Sequence, residues 1–394
     1  MEPRLSRLPG LPPASPACGL YVHVPFCLRK CRYCDFYSLA PPHPVSDYLE
    51  GVSAEIALAG KDGLSCDTVY LGGGTPSLLP AAAVAGILER LHGAFRIDPG
   101  AEVTLEANPG TVAGGQLASF RAAGVNRLNL GVQSLREEKL RFLGRIHGPA
   151  EAVRAFAAAR AAGFERVGID LIYGLPGESA GEWLSDLEAA LALGPDHLSC
   201  YLLTIAPGTP LGRDLAAGRL QAAAEETAAE LFLLTAARLA AGGFVHYEIS
   251  NFARDLGGEG GPAVSRHNLK YWTGAPYLGF GPGAHSFLPP RRFWNPPDLG
   301  RWLAALRSGK PPAAGGEELD RGQRVLEALF LGLRTAWGVD LAGLREGLGW
   351  DLLAERAGAV AEFAGRGLLR VEGGRLFPTA RGMLVAERLA VELS

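Results

Sequence analysis

The stretch HVPFCLRKCRYCDF, residues 23–36, sets Cys27, Cys31 and Cys34 close together in a chain that holds six cysteines in all. Three clustered thiols do not pair off as disulfides, and a tetrahedral zinc site takes four ligands. Thiolates are soft ligands that suit zinc and iron–sulfur clusters. A [4Fe–4S] cluster usually takes one cysteine per iron, so three local cysteines leave one iron free for another ligand. The competing readings are a zinc knuckle completed by His23 or His43, or three incidental thiols. A spacing this tight in a cysteine-poor chain favours the cluster.

The segments around this stretch alternate between β-rich and helical patterns. Candidate strands are Leu20–Val24, Thr68–Leu71, Glu102–Glu106, Arg127–Leu130, Val167–Ile172 and His197–Leu203. Ala/Leu-rich helical patterns lie between them, near 46–59, 78–92, 113–123, 149–162 and 179–192. Such alternation implies an α/β fold with a parallel sheet. Pattern alone fits either an open barrel or a doubly wound sheet. In both, ligands bind at the carboxyl ends of the strands, which is where the three cysteines follow the first strand.

Other residues with chemistry collect at the same ends. VYLGGGTPS (69–77) closes a strand on three glycines, including Gly73 and Gly74, before Thr75. Glycines there allow close backbone approach, although a tight strand–helix turn uses them equally. Glu106, Gln133 and Asp170 stand at or near strand ends. Singly, each reads as a cap or a satisfied core polar group; together on one rim they read as ligand contacts. Tyr21 and Arg145 have bland readings as core packing and a solvated helix charge.

C-x3-C-x2-C with Tyr33 before the last cysteine resembles the radical S-adenosylmethionine (SAM) proteins. The further stretches YVHVPFC, GGGTPS, EANPG, GVQS, IDLIYGLPG, PGTP and YEISNFA are similar to the oxygen-independent coproporphyrinogen III oxidase family over about residues 20–390. The resemblance implies a partial (β/α)6 barrel and a [4Fe–4S] cluster on Cys27, Cys31 and Cys34. It also implies SAM held by Tyr21, Tyr33, Gly73, Gly74, Thr75, Glu106, Gln133, Arg145 and Asp170. The oxidases of this family carry a further cysteine two residues after the third, where this chain has Phe36, and a longer segment before the first strand.

RHNLKYWTG (266–274) carries H-N-x-x-Y-W, which resembles the haem-chaperone branch of the family. That resemblance implies haem contact by His267, Asn268, Tyr271 and Trp272, with His267 or His285 as the iron ligand. Imidazole ligates haem iron and aromatic faces cover a macrocycle. The alternative from the residues alone is an aromatic loop packed on the barrel. The branch implies haemoprotein clients such as respiratory enzymes. Coproporphyrinogen III dehydrogenase, or another radical reaction on a tetrapyrrole, stays as the second function.

The remaining chain divides as a disordered lead-in over 1–18, a barrel with its aromatic loop over 19–307, a linker over 308–320 and a C-terminal domain over 321–394. FVHYEISNFA (244–253) reads as a strand. The C-terminal domain reads as helices with a hairpin turning at Gly373-Gly374, a winged-helix-like pattern. It lacks the basic face of a DNA reader, and a net charge of −3 for the chain gives no reason to expect nucleic acid. No apolar run approaches the roughly 18 residues of a membrane span, and the N-terminus lacks a signal-peptide core. The expectation is a cytoplasmic protein, open to peripheral membrane contact and to forming a homodimer.

Overall fold

The computed structural model describes residues 15–60, 63–112, 114–257 and 261–394. Most of the expected lead-in, residues 1–14, lies outside them, and Cys18 already belongs to a strand.

Six strands, β1 (Cys18–Val24), β2 (Ser65–Gly73), β3 (Arg96–Ala107), β4 (Arg127–Gln133), β5 (Arg166–Tyr173) and β6 (His197–Leu202), lie side by side in chain order. All five pairings are parallel. Parallel crossovers are right-handed in nearly all proteins, so an unbroken order carries every connecting helix to one face. A doubly wound sheet would reverse its order part-way. The helices α1 (Val45–Ala59), α2 (Ala81–Ala94), α3 (Gly114–Ala122), α4 (Glu137–Leu143), α5 (Pro149–Ala161) and α6 (Ala180–Ala192) connect these strands. The order decides for the partial (β/α)6 barrel.

Each strand alternates strictly. Leu20, Val22, Val24, Val69, Leu71, Val103, Leu105, Leu128, Leu130, Val167, Ile169, Leu171 and Leu198 join the apolar core beneath the helices. Between them, Tyr70, Thr104, Glu106, Arg127, Asn129, Asp170, His197, Ser199 and Tyr201 line the barrel interior. Parallel strands covered on both faces usually read as continuous apolar runs. Here one face is polar, which marks the interior as a place for ligands.

Further elements extend the sheet at both edges. After α7 (Pro210–Ala216) and α8 (Glu225–Ala241), FVHYEISNFA forms two strands instead of one, β7 (Phe244–Glu248) and β8 (Asn251–Arg254). β8 pairs with β6, and β7 forms the edge. Beyond them come α9 (Arg266–Thr273), β9 (Tyr277–Phe280), β10 (His285–Leu288), β11 (Arg291–Trp294) and α10 (Leu299–Arg307). β9 runs parallel to β1. Within the expected 308–320 linker, β12 (Gly315–Glu318) pairs antiparallel with β11. Its Gly-Gly-Glu-Glu sequence has little strand propensity; the open hydrogen-bonding edge of β11 supplies the partner.

The C-terminal module comprises α11 (Arg321–Gly332), β13 (Val339–Asp340), α12 (Leu341–Leu348), further short helices and the hairpin of β14 (Leu369–Glu372) and β15 (Arg375–Pro378). Gly373 and Gly374 turn it with φ of 56° and 74°, the left-handed values that two-residue hairpin turns require. The module has its own core around Leu329, Leu344, Phe363, Leu376 and Leu389. It docks through Thr335 and its neighbours: Ala336 N–H donates to Tyr247 O (3.0 Å), Ile249 N–H to Arg334 O (3.0 Å), and Glu248 bridges Thr335. Among the described residues no helix is long and apolar enough to cross a membrane.

Candidate functional site

The loop after β1 carries Cys27, Cys31 and Cys34 and is clamped from several sides. Cys27 N–H donates to Leu39 O (3.0 Å), and Leu39 N–H returns to Pro25 O (2.6 Å). Arg29 donates to the carbonyls of Gly144 (2.8 Å) and Arg145 (2.9 Å), beyond α4. Arg32 donates to Phe142 O (3.0 Å) and pairs with Asp214 on α7 (2.6 Å). Leu211 N–H, just inside α7, donates to Arg32 O. α7, which begins at the last residue of PGTP, thus braces the thiol loop. Burial first, and then the charges of Cys31 and Cys27, push the Cys34 thiol up to about 11. Arg145 Nη1 lies 3.2 Å from Cys31 Sγ, and Thr75 Oγ1 donates to Cys27 Sγ (3.6 Å).

The zinc reading loses its fourth ligand here. His23 is held between Tyr21 Oη (3.1 Å) and Tyr37 O (2.9 Å), and His43 Nε2 is occupied by Cys27 O (3.0 Å). Among the described residues no three His, Cys, Asp or Glu side chains close around a single ion. Three thiols on one braced loop, with a guanidinium beside one sulfur, fit a polynuclear cluster of soft-ligand iron.

The glycine turn lies against this loop. Gly74 N–H donates to Val24 O (2.8 Å). A Cβ on Gly74 would stand 2.7 Å from Phe26 O and 2.9 Å from Val24 O. Gly74→Ala is therefore expected to destabilise the protein by about 1–3 kcal/mol and to displace the thiol loop. Chemical denaturation together with iron retention would check this; wild-type values for both would show that the turn yields freely. Gly73 has φ of 108°, and its N–H donates to Glu106 Oε2 (3.1 Å).

Glu106 also accepts from Tyr70 Oη (2.7 Å). Burial, with a contribution from Asp170, pushes its carboxyl up to about 7, against the two donors. A carboxyl raised in the folded state contributes stability that is complete below its unfolded value of about 4.5 and is lost as pH rises through about 7. Glu106→Gln is expected to remove this fall, a difference on the order of a few kcal/mol. Urea unfolding of the cluster-free protein between pH 4.5 and 8 measures it. Parallel wild-type and variant curves would count against a buried, raised carboxyl.

Among the described residues, buried side-chain atoms without a hydrogen-bond partner include Thr104 Oγ1, Gln133 Oε1, Arg145 Nε, His147 Nδ1, Asp170 Oδ1 and His197 Nδ1. Among the described residues Gln133 is also the one non-glycine residue with positive φ, 70°. Arg145 donates to Gly131 O (2.6 Å) and to Asn108 Oδ1. Asp170 takes a bond from Asn129 (2.7 Å) and is raised by burial. Unpaired buried polar atoms are costly. Of these, Gln133, Arg145 and Asp170 gather around Gly131 on the side of the thiol loop, while Thr104 and His197 lie nearer the floor of the barrel; the first three, with strain at Gln133, suit a polar ligand of mixed charge such as SAM. Sequence reasoning missed Tyr70, Asn108 and Asn129, although the polar–apolar alternation of β2 to β4 carried the signal.

The H-N-x-x-Y-W residues are divided. α9 plugs the base of the barrel. His267 is fully buried, with Nδ1 at 2.9 Å from Thr68 Oγ1 and Nε2 at 3.0 Å from Tyr271 Oη. Burial lowers its pKa to about 3, so the ring is neutral and both nitrogens are engaged. Asn268 lines the barrel interior. Trp272, by contrast, lies half-buried beside the C-terminal module, with the Arg334 guanidinium 5.3 Å from its ring. His285 is exposed and stacks on Trp294.

Residues 21–190 match the Radical SAM superfamily, and residues 319–385 match the HemN C-terminal domain. Among curated proteins, the haem chaperone HemW of Mycobacterium tuberculosis is 40% identical over 98% of this chain and 95% of its own. The chain belongs to the HemW family of radical SAM proteins. HemW of Bacillus subtilis is 31% identical over 94% of the chain and 97% of its own length. Among solved structures, the coproporphyrinogen III oxidase HemN of Escherichia coli matches with a TM-score of 0.81 over 97% of this chain and 91% of that one, at 24% identity. That likeness gives the fold. Membership of the radical SAM superfamily implies a [4Fe–4S] cluster and SAM.

Proposed function

We propose that this protein is a haem chaperone. It carries a [4Fe–4S] cluster on Cys27, Cys31 and Cys34, binds SAM beside it, holds haem at the H-N-x-x-Y-W segment and delivers it to haemoproteins. The observation that carries the reading is the near-full-length similarity to the M. tuberculosis chaperone. Cluster and SAM together supply one-electron radical chemistry when bound.

In this reading Arg145 offers its guanidinium to a carboxylate and Glu106 its carboxyl to an ammonium. Gly73, Gly74 and Thr75 present backbone to the ligand's chain, and Gln133 and Asp170 offer it their unpaired oxygens. Tyr21 and Tyr33 pack around it. At the haem, Trp272 makes the contact, while His267, Asn268 and Tyr271 hold α9 from behind. Phe36, in the place of the oxidases' further cysteine, is 64% exposed and supplies no sulfur. We place the protein in the cytoplasm, without nucleic-acid partners, and take respiratory enzymes at the membrane surface as clients; a homodimer fits this reading.

The test is haem titration of the anaerobically reconstituted full chain, followed through the Soret band, then transfer to an apo-haemoprotein. A perturbed Soret band and haem transfer are expected, with weaker binding in His267→Ala, where α9 loses its anchor. Formation of protoporphyrinogen IX from coproporphyrinogen III with SAM and a reductant would favour the oxidase instead. Absence of any Soret change would remove haem.

A further inference from the structure

A cleft of about 660 Å³ separates the barrel's sheet extension from the C-terminal module, within the range of roughly 300–1,000 Å³ typical of small-molecule sites. Trp272, Phe287 and Trp337 give it aromatic walls, and Leu344 an aliphatic one. Gly343 and Gly347 on α12 leave its far side open. Two of the cations around it are already paired: Arg375 with Asp340 (3.4 Å) and Arg292 with Glu327 (2.5 Å). Arg324, exposed at the cleft, has no side-chain partner among the described residues. Among the described residues no His, Cys, Met or Tyr lines it.

Resting on the haem-chaperone reading, we propose that this cleft is the tetrapyrrole site and that it grips the macrocycle without ligating its iron. Aromatic faces hold a flat apolar ring, and the unpaired Arg324 meets a propionate carboxylate. His267 is spent on Thr68 and Tyr271, and His285 stacks on Trp294 outside the lining. The protein therefore leaves both axial positions of the iron open. A carrier built this way releases its cargo by letting the recipient's own ligand reach the iron, with no iron–protein bond to break first.

The test compares haem with metal-free protoporphyrin IX on the full chain and three variants. Gly347→Trp fills the cleft; a Cβ at Gly347 meets nothing within 4 Å, so folding is expected to survive, checked by an unchanged Tm. Trp272→Ala removes a wall and Arg324→Glu reverses the exposed charge. Comparable affinity for the two porphyrins is expected. Both should be lost in Gly347→Trp and weakened in Arg324→Glu. In Trp272→Ala both should weaken about tenfold. Wild-type haem affinity in all three variants would overturn the cleft while leaving the chaperone reading intact. Binding of haem but not of the metal-free ring would overturn the open-iron grip. Failure of the wild type to bind haem would overturn the chaperone reading itself.

Discussion

Cys31→Ser is expected to leave the chain folded and without iron or labile sulfide after anaerobic reconstitution. A serine oxygen is a hard ligand and a poor substitute for thiolate on iron, and the loop offers no fourth cysteine. The other thiols cannot replace it: Cys18, Cys66 and Cys200 are all buried within the sheet. Arg145 loses the sulfur 3.2 Å away but keeps Asn108 and Gly131, so the mouth of the barrel stays assembled. Cys200→Ser serves as control and should retain the full cluster. Wild-type iron and sulfide in Cys31→Ser would sink the three-thiol assignment, and zinc without iron in the wild type would revive the knuckle.

Arg127→Met should cost about 3–5 kcal/mol in urea unfolding, because it strands a buried charge. Arg127 is almost wholly buried and lies 3.2 Å from the Glu102 carboxylate. It also donates to the carbonyls of Val264 (2.8 Å) and Ala263 (3.1 Å). Glu102 in turn accepts the His267 N–H (3.1 Å). One guanidinium thus ties the floor of the barrel to the segment leading into α9. Arg127→Met with Glu102→Gln should recover part of the loss, since a neutral amide still accepts from His267. A loss below about 1 kcal/mol, the scale of a solvated pair, would show that water reaches the site.

The strand–helix alternation made the parallel α/β fold legible, the family resemblance carried by the thiol spacing chose the barrel, and the Gly373-Gly374 hairpin stands where its turn residues put it. Local signals of that kind survive folding because few other contacts compete with them. What stayed illegible depends on distant partners. β12 exists because β11 has a free edge, and FVHYEISNFA breaks in two because its ends pair with each other around Ile249-Ser250. H-N-x-x-Y-W read as one surface, yet an eight-residue helix points its successive side chains in different directions. His267 therefore went to the interior and Trp272 to the module. Asn129 and Tyr70 were readable in principle. They sit on the polar side of strands whose other side is entirely apolar, a pattern that a buried parallel sheet has no other reason to show.

The docking of Thr335 and Ala336 along β7 also bears on solubility. β7 ends the sheet, and an uncovered edge strand is a template for pairing with another chain. The Glu248–Thr335 bridge and the Ala336–Tyr247 bond occupy part of that edge with the protein's own backbone. The C-terminal module thereby acts as a selvedge, finishing the sheet so that it does not run on into a neighbouring molecule.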